Sequence, residues 1–344
     1  MRDIMATKSY LDLKKEVWDK DLCAGCGACV AVCPADAICF DETGGALKPR
    51  NIGYCKQLND EVDCGACFDA CPRTMHIAGG NLGEYLEILS ARATLEIPRK
   101  QSGGAVTAIL LTALRQGLID AVVTVAEDRW TMKPVSVVLT TSEEVIHHAG
   151  SRYNWWVPLV AALKTAVIDR KFQKIAVIGV PCVVQAIHRI RQSDNDLLKP
   201  FGKRIRLVIG LFCTETFDYH RLMEGVLQKE HHIDTWNIDR LDVRGKLEIT
   251  MRDGSSFTLP LAELQESIRP GCHHCLDFTG LFSDISAGAV GSEKGYTTLI
   301  VRTGTGRMFL HEAITQKNLI IGGQININAI ERLANIKIAK DHTK

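Results

Sequence analysis

The sequence has almost no net charge and no long apolar run. Its 41 lysine and arginine residues balance 40 aspartate and glutamate residues, for a formal net charge of +1. This balance gives no indication of binding to nucleic acid or to an anionic membrane surface. No apolar stretch approaches the roughly 18–20 residues that a membrane span needs, and residues 1–21 lack the apolar segment of a secretory signal. We therefore expect a cytoplasmic protein.

Cysteine is the residue that the sequence has in unusual number. Twelve of its 13 cysteines fall into three groups of four. The odd count, the C-x2-C spacing and the lack of a secretory signal favour metal thiolates in a reducing compartment over disulfides. The first group has the C-x2-C-x2-C-x3-C-P spacing of a bacterial-type ferredoxin, which zinc sites do not share. It consists of Cys23, Cys26, Cys29 and Cys33.

The second group repeats this spacing with one departure. Cys64, Cys67 and Cys71 keep it, but Glu61 stands where the first cysteine is expected, and Cys55 is the obvious substitute. The alternative is a second cluster that has only three irons or is absent. In two-cluster ferredoxins the fourth cysteine of each run binds the other cluster. We therefore expect one cluster on Cys23, Cys26, Cys29 and Cys71, and another on Cys33, Cys55, Cys64 and Cys67.

The third group is scattered along the chain. Residues 175–182 and 205–213 read as buried strands that each end in a cysteine, at what should be one edge of a parallel sheet. Ligands gather at that edge in open α/β sheets. Cys182 and Cys213, with the pair Cys272 and Cys275, therefore predict a third iron–sulfur site, for which zinc remains the alternative. Cys39 is left over, and we expect it to be a small buried apolar residue.

A glycine-rich segment opens the larger part of the chain. Apolar spacing over residues 105–114 predicts a helix, and residues 118–126 predict a buried strand. Ser102, Gly103 and Gly104 precede the helix without bulky side chains. Its free amides, at the positive end of the helix dipole, can therefore reach a phosphate. The alternative is that this segment is only a helix cap.

These patterns divide the chain into four parts. We expect an N-terminal extension at 1–17, a two-cluster ferredoxin-like domain at 18–80, a main domain at 85–323 and a loosely attached C-terminal helix at 324–344. The fold class is α+β, with the ferredoxin domain of bacterial 2×(4Fe–4S) type followed by a mixed α/β domain.

Residues 95–305 resemble, in order, the family of coenzyme F420 hydrogenase/dehydrogenase beta subunits. The matching segments are 101–104, 150–153, 179–182, 210–213, 272–279, 284–288 and 291–298. The resemblance implies a flavoprotein domain that binds FAD, one internal 4Fe–4S cluster and coenzyme F420, a deazaflavin. A preceding two-cluster unit is similar to the input subunit of archaeal F420H2 dehydrogenase. That similarity implies a partner such as the membrane F420H2 dehydrogenase complex, or a hydrogenase or heterodisulfide-reductase type complex, and a place on the cytoplasmic face of the membrane.

The resemblance also implies where the cofactors bind. Ser102–Gly104 and Arg152 are candidates for the FAD pyrophosphate, and Arg152 stands where lysine is common in the family. Hydride transfer requires no side-chain acid or base, so no catalytic residue is assigned. The further candidates for the flavin or for F420 are Lys100, Gln101, Thr107, Ser151, Tyr153, Pro181, Thr214, Thr279, Ser292 and Tyr296.

The function that these features imply is electron input. F420H2 gives up a hydride, iron–sulfur clusters accept single electrons, and a flavin converts between the two. The chain is therefore expected to oxidise F420H2, or to reduce F420 in the reverse direction, through FAD and three 4Fe–4S clusters. One alternative is a flavin-free electron-transfer adaptor. The other is a reductase of the same family that takes electrons from ferredoxin and acts on a substrate other than F420.

Overall fold

The two ferredoxin-like cysteine runs form the same local structure. The computed structural model describes residues 7–40, 48–75 and 81–339. In each run, the glycine of a Cys-Gly-Ala-Cys segment adopts a left-handed conformation, with φ of 85° at Gly27 and 63° at Gly65. Glycine adopts this conformation without strain, so the chain turns there and a short helix begins at the next residue. These helices are Ala28–Val32 and Ala66–Asp69.

Short elements complete the N-terminal unit. Strands β1 (Ile38–Cys39) and β2 (Arg50–Asn51) pair in antiparallel fashion. Leu13, Val17 and Trp18 pack against Cys29 and Cys67, so residues 10–18 lie on the ferredoxin-like unit. The remaining helices are Tyr10–Leu13, the π-helix Lys14–Trp18 that continues it, and Lys56–Asn59.

A mixed eight-stranded sheet forms the centre of the larger part, which confirms the mixed α/β prediction. Its order is β15–β3–β14–β13–β8–β7–β4–β5, in which β13, β8, β7 and β4 are parallel and the other pairs are antiparallel. The strands are β3 (Glu87–Ala93), β4 (Ala121–Glu127), β5 (Pro134–Leu139), β7 (Ile175–Gly179), β8 (Ile205–Leu211), β13 (Ile285–Gly288), β14 (Thr297–Val301) and β15 (Leu319–Ile321).

Smaller sheets and helices surround this sheet. β6 (Asn154–Trp155) pairs in parallel with β9 (Phe217–Asp218), and β10 (Ile238–Val243), β11 (Lys246–Met251) and β12 (Ser256–Pro260) form an antiparallel sheet. The α-helices are Ala105–Arg115, Ser142–His147, Ala162–Lys164, Pro181–Gln192, Lys199–Arg204, Gly304–Thr315 and Ile327–Ala339. The π- and 3-10 helices are Thr165–Asp169, His220–Glu230, Thr235–Asn237, Leu261–Ser267 and Pro270–Cys272. In the part of the chain just described, no helix is long and apolar enough to cross a membrane.

Helices cover both faces of the central sheet. In β7, Ala176 and Ile178 belong to one core cluster and Ile175 and Val177 to another, because successive side chains of a strand point to opposite faces. The helix Ala105–Arg115 packs on the first face. The helix Pro181–Gln192 packs on the second face, together with alanines of the N-terminal unit. The N-terminal unit therefore sits on the second face.

The structure corrects two local predictions. The strand predicted to end at Cys182 ends at Gly179, and Pro181 begins the next helix, where its fixed φ and missing N–H suit the first turn. The C-terminal helix is not loosely attached, because Ile330 and Ala334 are buried in a core cluster that also contains Leu82 and Phe278.

Candidate redox centre

The four thiols that were predicted to bind the second cluster lie together. Cys33, Cys55, Cys64 and Cys67 line one cavity between the first helix and the two-stranded sheet. Burial, followed by the charge of Cys33, raises the pKa of Cys67 to about 12. The second run therefore sits next to the last cysteine of the first run, and Cys55 lines the same cavity. We call these four residues the second quartet.

The first quartet combines three cysteines of the first run with Cys71 of the second. Burial raises the pKa of Cys26 to about 11, and it raises the pKa of Cys71 as well, with further contributions from the charges of Cys26 and Cys23. Four neighbouring thiols that repel one another when ionised need a nearby positive charge to remain thiolates, and bound iron supplies it. The donor set fits an iron–sulfur cluster. Its members are Cys23, Cys26, Cys29 and Cys71.

The third quartet, Cys182, Cys213, Cys272 and Cys275, forms at the carboxyl ends of β7 and β8. Cys182 lies in the first turn of the helix that follows β7, and Cys213 follows β8, where its N–H donates to the Phe278 carbonyl at 2.9 Å. Burial, followed by charges that include those of Cys275, Cys272 and Cys213, raises the pKa of Cys182. The two halves of the group are therefore close enough to interact, as the strand topology predicted.

The second and third quartets each lie beside the first. The Cys67 charge helps to raise the pKa of Cys29, although burial is the largest cause. On the other side, the Cys26 charge acts on Cys182. The N-terminal unit is fixed to the larger part by hydrogen bonds from Val160 N–H to the Cys26 carbonyl, at 2.8 Å, and from Trp155 Nε1 to the Gly25 carbonyl, at 3.0 Å. The quartets therefore form a row in the order third, first, second.

The quartets do not resemble a site for one metal ion. Among residues 7–40, 48–75 and 81–339, no group of three or more His, Cys, Asp and Glu side chains is placed to hold a metal ion. Cys39 lies in β1 outside all three quartets, and it is half-buried rather than buried as predicted.

The glycine-rich segment begins its helix in close contact with the sheet. Gly103 lies so close to Ala91 and Thr297 that a Cβ atom would stand 2.4 Å from the Ala91 carbonyl oxygen. The Gly103 N–H donates to Thr297 Oγ1 at 3.0 Å, so this amide is already hydrogen-bonded and is not free to bind a phosphate. The helix is capped by Gly104, with φ of 70° and no side-chain hydrogen bond to its first amides. The amides that follow Gly104 are those that can reach a phosphate.

Polar side chains predicted to contact cofactors converge beside this helix start. Gln101 Nε2 donates to the Tyr153 hydroxyl at 2.8 Å and to Asp242. The other amide atom, Gln101 Oε1, is buried without a hydrogen-bond partner. Burial raises the pKa of Tyr153, and the hydrogen bond from Gln101 acts against it. A buried acceptor with no donor is the kind of atom that a bound cofactor satisfies.

Arg152 forms a nearly buried ion pair with Glu127. The Nε atom of Arg152 lies 3.4 Å from Glu127 Oε2, and the two side chains are 12% and 10% exposed. Burial raises the pKa of Glu127 and lowers that of Arg152, although each charge acts to favour the other. Both directions show that burial outweighs the attraction within the pair. Arg152 Nε makes no hydrogen bond.

The structure separates the remaining predicted contacts. Ser292 Oγ lies 2.6 Å from Thr298 Oγ1, and the Arg92 guanidinium lies 5.4 Å from the centre of the Tyr296 ring. Tyr296 directly precedes β14, where Thr297 accepts the hydrogen bond from the Gly103 N–H. Thr279 is fully buried, and its hydroxyl accepts a hydrogen bond from Arg302 at 2.8 Å. The others follow from the chain path: Lys100 contacts Gly104, Thr107 lies in the first turn of its helix, Ser151 precedes Arg152, Pro181 precedes Cys182 and Thr214 follows Cys213.

Sequence reasoning missed two cations that lie beside the third quartet. Arg73 donates to the carbonyls of His274 and Gly271, both at 3.1 Å. Lys337 is buried and donates to the Cys213 carbonyl at 2.5 Å. Although burial acts to raise it, the pKa of Cys275 is lowered by the charges of Lys337 and Arg73. Nothing local in the sequence marks either residue.

Comparison with known proteins defines the class of protein first. Residues 17–38 match the family of 4Fe-4S binding domains, so the chain is an iron–sulfur protein. The chain further belongs to the oxidoreductase family of coenzyme F420 hydrogenase/dehydrogenase beta subunits. The models for the N-terminal and C-terminal parts of that family match residues 88–164 and 172–324.

Individual relatives agree with this family. An uncharacterized protein of Methanocaldococcus jannaschii is 42% identical over 96% of this chain and 97% of its own. One of the subunits of F420H2 dehydrogenase from Methanosarcina mazei is 29% identical over 94% of this chain and 91% of its own. A chain of the F420-reducing [NiFe] hydrogenase complex from Methanosarcina barkeri superposes with a TM-score of 0.72 and 29% identity. That match covers 78% of this chain and 93% of the hydrogenase chain.

Proposed function

We propose that this protein transfers electrons between coenzyme F420 and a partner redox protein through FAD and three 4Fe–4S clusters. The observation that supports this most is the row of three quartets, which begins at the sheet edge and ends in the N-terminal unit. Each quartet supplies the four thiolates that one such cluster needs. Twelve cysteines from segments as far apart as 23–33 and 272–275 would not form such a row by chance.

The carboxyl edge of the central sheet is the proposed FAD site. There, the amides after Gly104 at the start of the helix Ala105–Arg115, together with Lys100 and Arg152, would hold the pyrophosphate. Gln101 Oε1 is a buried acceptor without a hydrogen-bond partner, and a bound flavin nucleotide offers it a donor. Because burial outweighs attraction in the Arg152–Glu127 pair, an added negative charge would suit Arg152.

The relatives support coenzyme F420 as the substrate. The Methanosarcina mazei relative is named for F420H2, and the superposed chain belongs to an F420-reducing hydrogenase. When bound, FAD supplies the step between a hydride and single electrons. The residues proposed to face the flavin or F420 include Tyr153, Thr214, Ser292 and Tyr296. Thr279 would act from beneath the site, through Arg302.

The second quartet is the proposed exit for electrons. Cys55 and Cys64 are partly exposed, and the apolar side chains of Ile52 and Val62 beside them are 57% and 52% exposed. A partner bound there would stand nearest to the second cluster. We propose a partner complex of the F420H2 dehydrogenase, hydrogenase or heterodisulfide-reductase type. The protein would bind this complex in the cytoplasm, including at the cytoplasmic face of a membrane.

An anaerobic spectrum tests the proposal. The reconstituted protein is expected to hold FAD and three clusters, and added F420H2 should bleach the flavin and cluster absorbance together. A preparation that holds all of these groups but does not react with F420H2 would refute the substrate. Cluster absorbance without flavin released on denaturation would favour the adaptor instead. Reduction by ferredoxin but not by F420H2 would favour a reductase for another substrate.

Cys55 provides a test of the second cluster alone. The change Cys55→Ser is expected to remove the second cluster, or to leave it with three irons, because a partly exposed serine is a poor iron ligand. Cys39→Ser is the matched control, since Cys39 is a half-buried cysteine of the same unit outside every quartet. Iron content and electron paramagnetic resonance measure the result. Equal cluster content in the two variants would show that Cys55 is not a ligand.

A further inference from the structure

We propose that Arg73 and Lys337 set the reduction potentials of the clusters by placing fixed positive charge between and beside the quartets. Arg73 acts on the third and first clusters together, and Lys337 acts on the third alone. This inference rests on the proposed cluster assignment and concerns the order in which the clusters accept electrons.

Arg73 lies at the junction of the first and third quartets. It is two residues past Cys71, a member of the first quartet. Its guanidinium donates to the carbonyls of Gly271 and His274, which directly precede Cys272 and Cys275 of the third quartet. An arginine is always charged in proteins, and its Nε here is buried without a hydrogen-bond partner. That charge acts on thiols of both quartets.

Lys337 approaches the third quartet from another element. It projects from the helix Ile327–Ala339, it is 4% exposed, and its ammonium donates to the Cys213 carbonyl. Its charge acts on Cys275, Cys213 and Cys272. A buried lysine costs free energy unless it is paired. The negative charge of a thiolate-bound cluster is the partner that offsets this cost.

The expected effect follows from charge balance. A [4Fe–4S]2+ cluster that takes up one electron becomes [4Fe–4S]+, and no bond forms or breaks. The added negative charge is stabilised by a nearby cation, so a buried cation raises the potential, which net charge and burial control in such clusters. The second quartet contrasts with the other two, because Lys164, which donates to the Cys33 carbonyl at 2.8 Å, is already paired with Asp36, and Lys56, which acts on Cys64, is exposed. We therefore expect the third and first clusters to be reduced before the second.

Redox titration of the complete protein, followed by electron paramagnetic resonance, tests the proposal. Lys337→Gln is expected to lower the midpoint of one cluster, and Arg73→Gln the midpoints of two. Each shift should be at least about tenfold in the reduction equilibrium, which is 59 mV for a one-electron couple. Arg73→Lys and Lys337→Arg keep the charge and should keep the midpoints close to those of the unmodified protein. Lys56→Gln is the exposed control and should shift none by that amount.

The outcomes separate this inference from the proposed function. If the unmodified protein does not assemble three clusters, the proposed function fails first. If it does, and Arg73→Gln and Lys337→Gln keep full iron content with unchanged midpoints, the inference is overturned. If either glutamine variant loses iron, the midpoints of the variants that keep the charge, Arg73→Lys and Lys337→Arg, test the inference instead. A tenfold fall in Arg73→Lys or Lys337→Arg would show that charge is not the property that matters, and this too overturns the proposal.

Discussion

Replacing Cys213 with alanine is expected to stop electrons at the flavin. In this variant, F420H2 should still bleach the flavin, whereas bleaching of the clusters should slow by at least about a hundredfold. Losses of 10- to 100-fold already result from changes to groups that only support metal ligands. The physical reason is that the third quartet lies at the sheet edge with the proposed flavin site and is the first step of the row. Stopped-flow absorbance that separates the flavin and cluster signals measures it.

The control for this experiment is again Cys39→Ser. Retained iron in the first and second clusters would show that the Cys213→Ala protein is folded. Clusters that bleach at the rate of the unmodified protein would contradict the order of the row, since electrons would then bypass the third quartet.

Replacing Arg152 with methionine is expected to lower both the stability of the protein and its flavin content. Breaking a buried ion pair by removing one partner typically costs about 3–5 kcal/mol. The lower end applies here, because both side chains retain some exposure. Urea unfolding measures the free energy of unfolding, and the flavin released on denaturation measures binding. The double variant Glu127→Gln with Arg152→Met should recover most of the stability and none of the flavin.

The stability lost in Arg152→Met should depend on pH, and the pKa of Glu127 determines the direction of this dependence. Burial raises that pKa in the folded protein above its ordinary value. The ionised carboxylate therefore opposes folding above the folded pKa, and protonation relieves this cost as the pH falls toward the unfolded value. Without Arg152, the cost at alkaline pH is larger. The stability lost in Arg152→Met should thus shrink at mildly acid pH, and a constant loss across this range would contradict the pairing.

Local patterns in the sequence were enough to predict which cysteines the fold brings close together. The C-x2-C runs, the strands before Cys182 and Cys213 and the helix after Gly104 all follow from spacing and periodicity over a few residues. The pairing of β7 with β8 followed from their apolar composition and from the rule for parallel sheets. These features are local or depend on general rules of topology, and both can be read from one chain.

Contacts between distant segments could not be predicted. Arg152 was assigned to a phosphate, and nothing in its neighbourhood pointed to Glu127 on β4 as its partner. The charge of Lys337 is brought to Cys275 by a helix that was expected to be loose. Thr279 belongs to a motif shared with the family, but only the structure shows that its hydroxyl binds Arg302. Each of these contacts depends on the packing of the complete fold.

The two parts of the molecule meet through backbone that has no space for a side chain. A Cβ atom on Gly27 would lie 2.3 Å from Pro158, and one on Gly271 would lie 2.2 Å from the Cys23 carbonyl oxygen. The interface between the two parts is thus fixed, unlike the transient complex that a diffusing ferredoxin forms. Electron transfer across this interface requires no diffusional encounter. The rate of this transfer should therefore be independent of protein concentration and, unlike the rate of electrostatically steered association, of ionic strength.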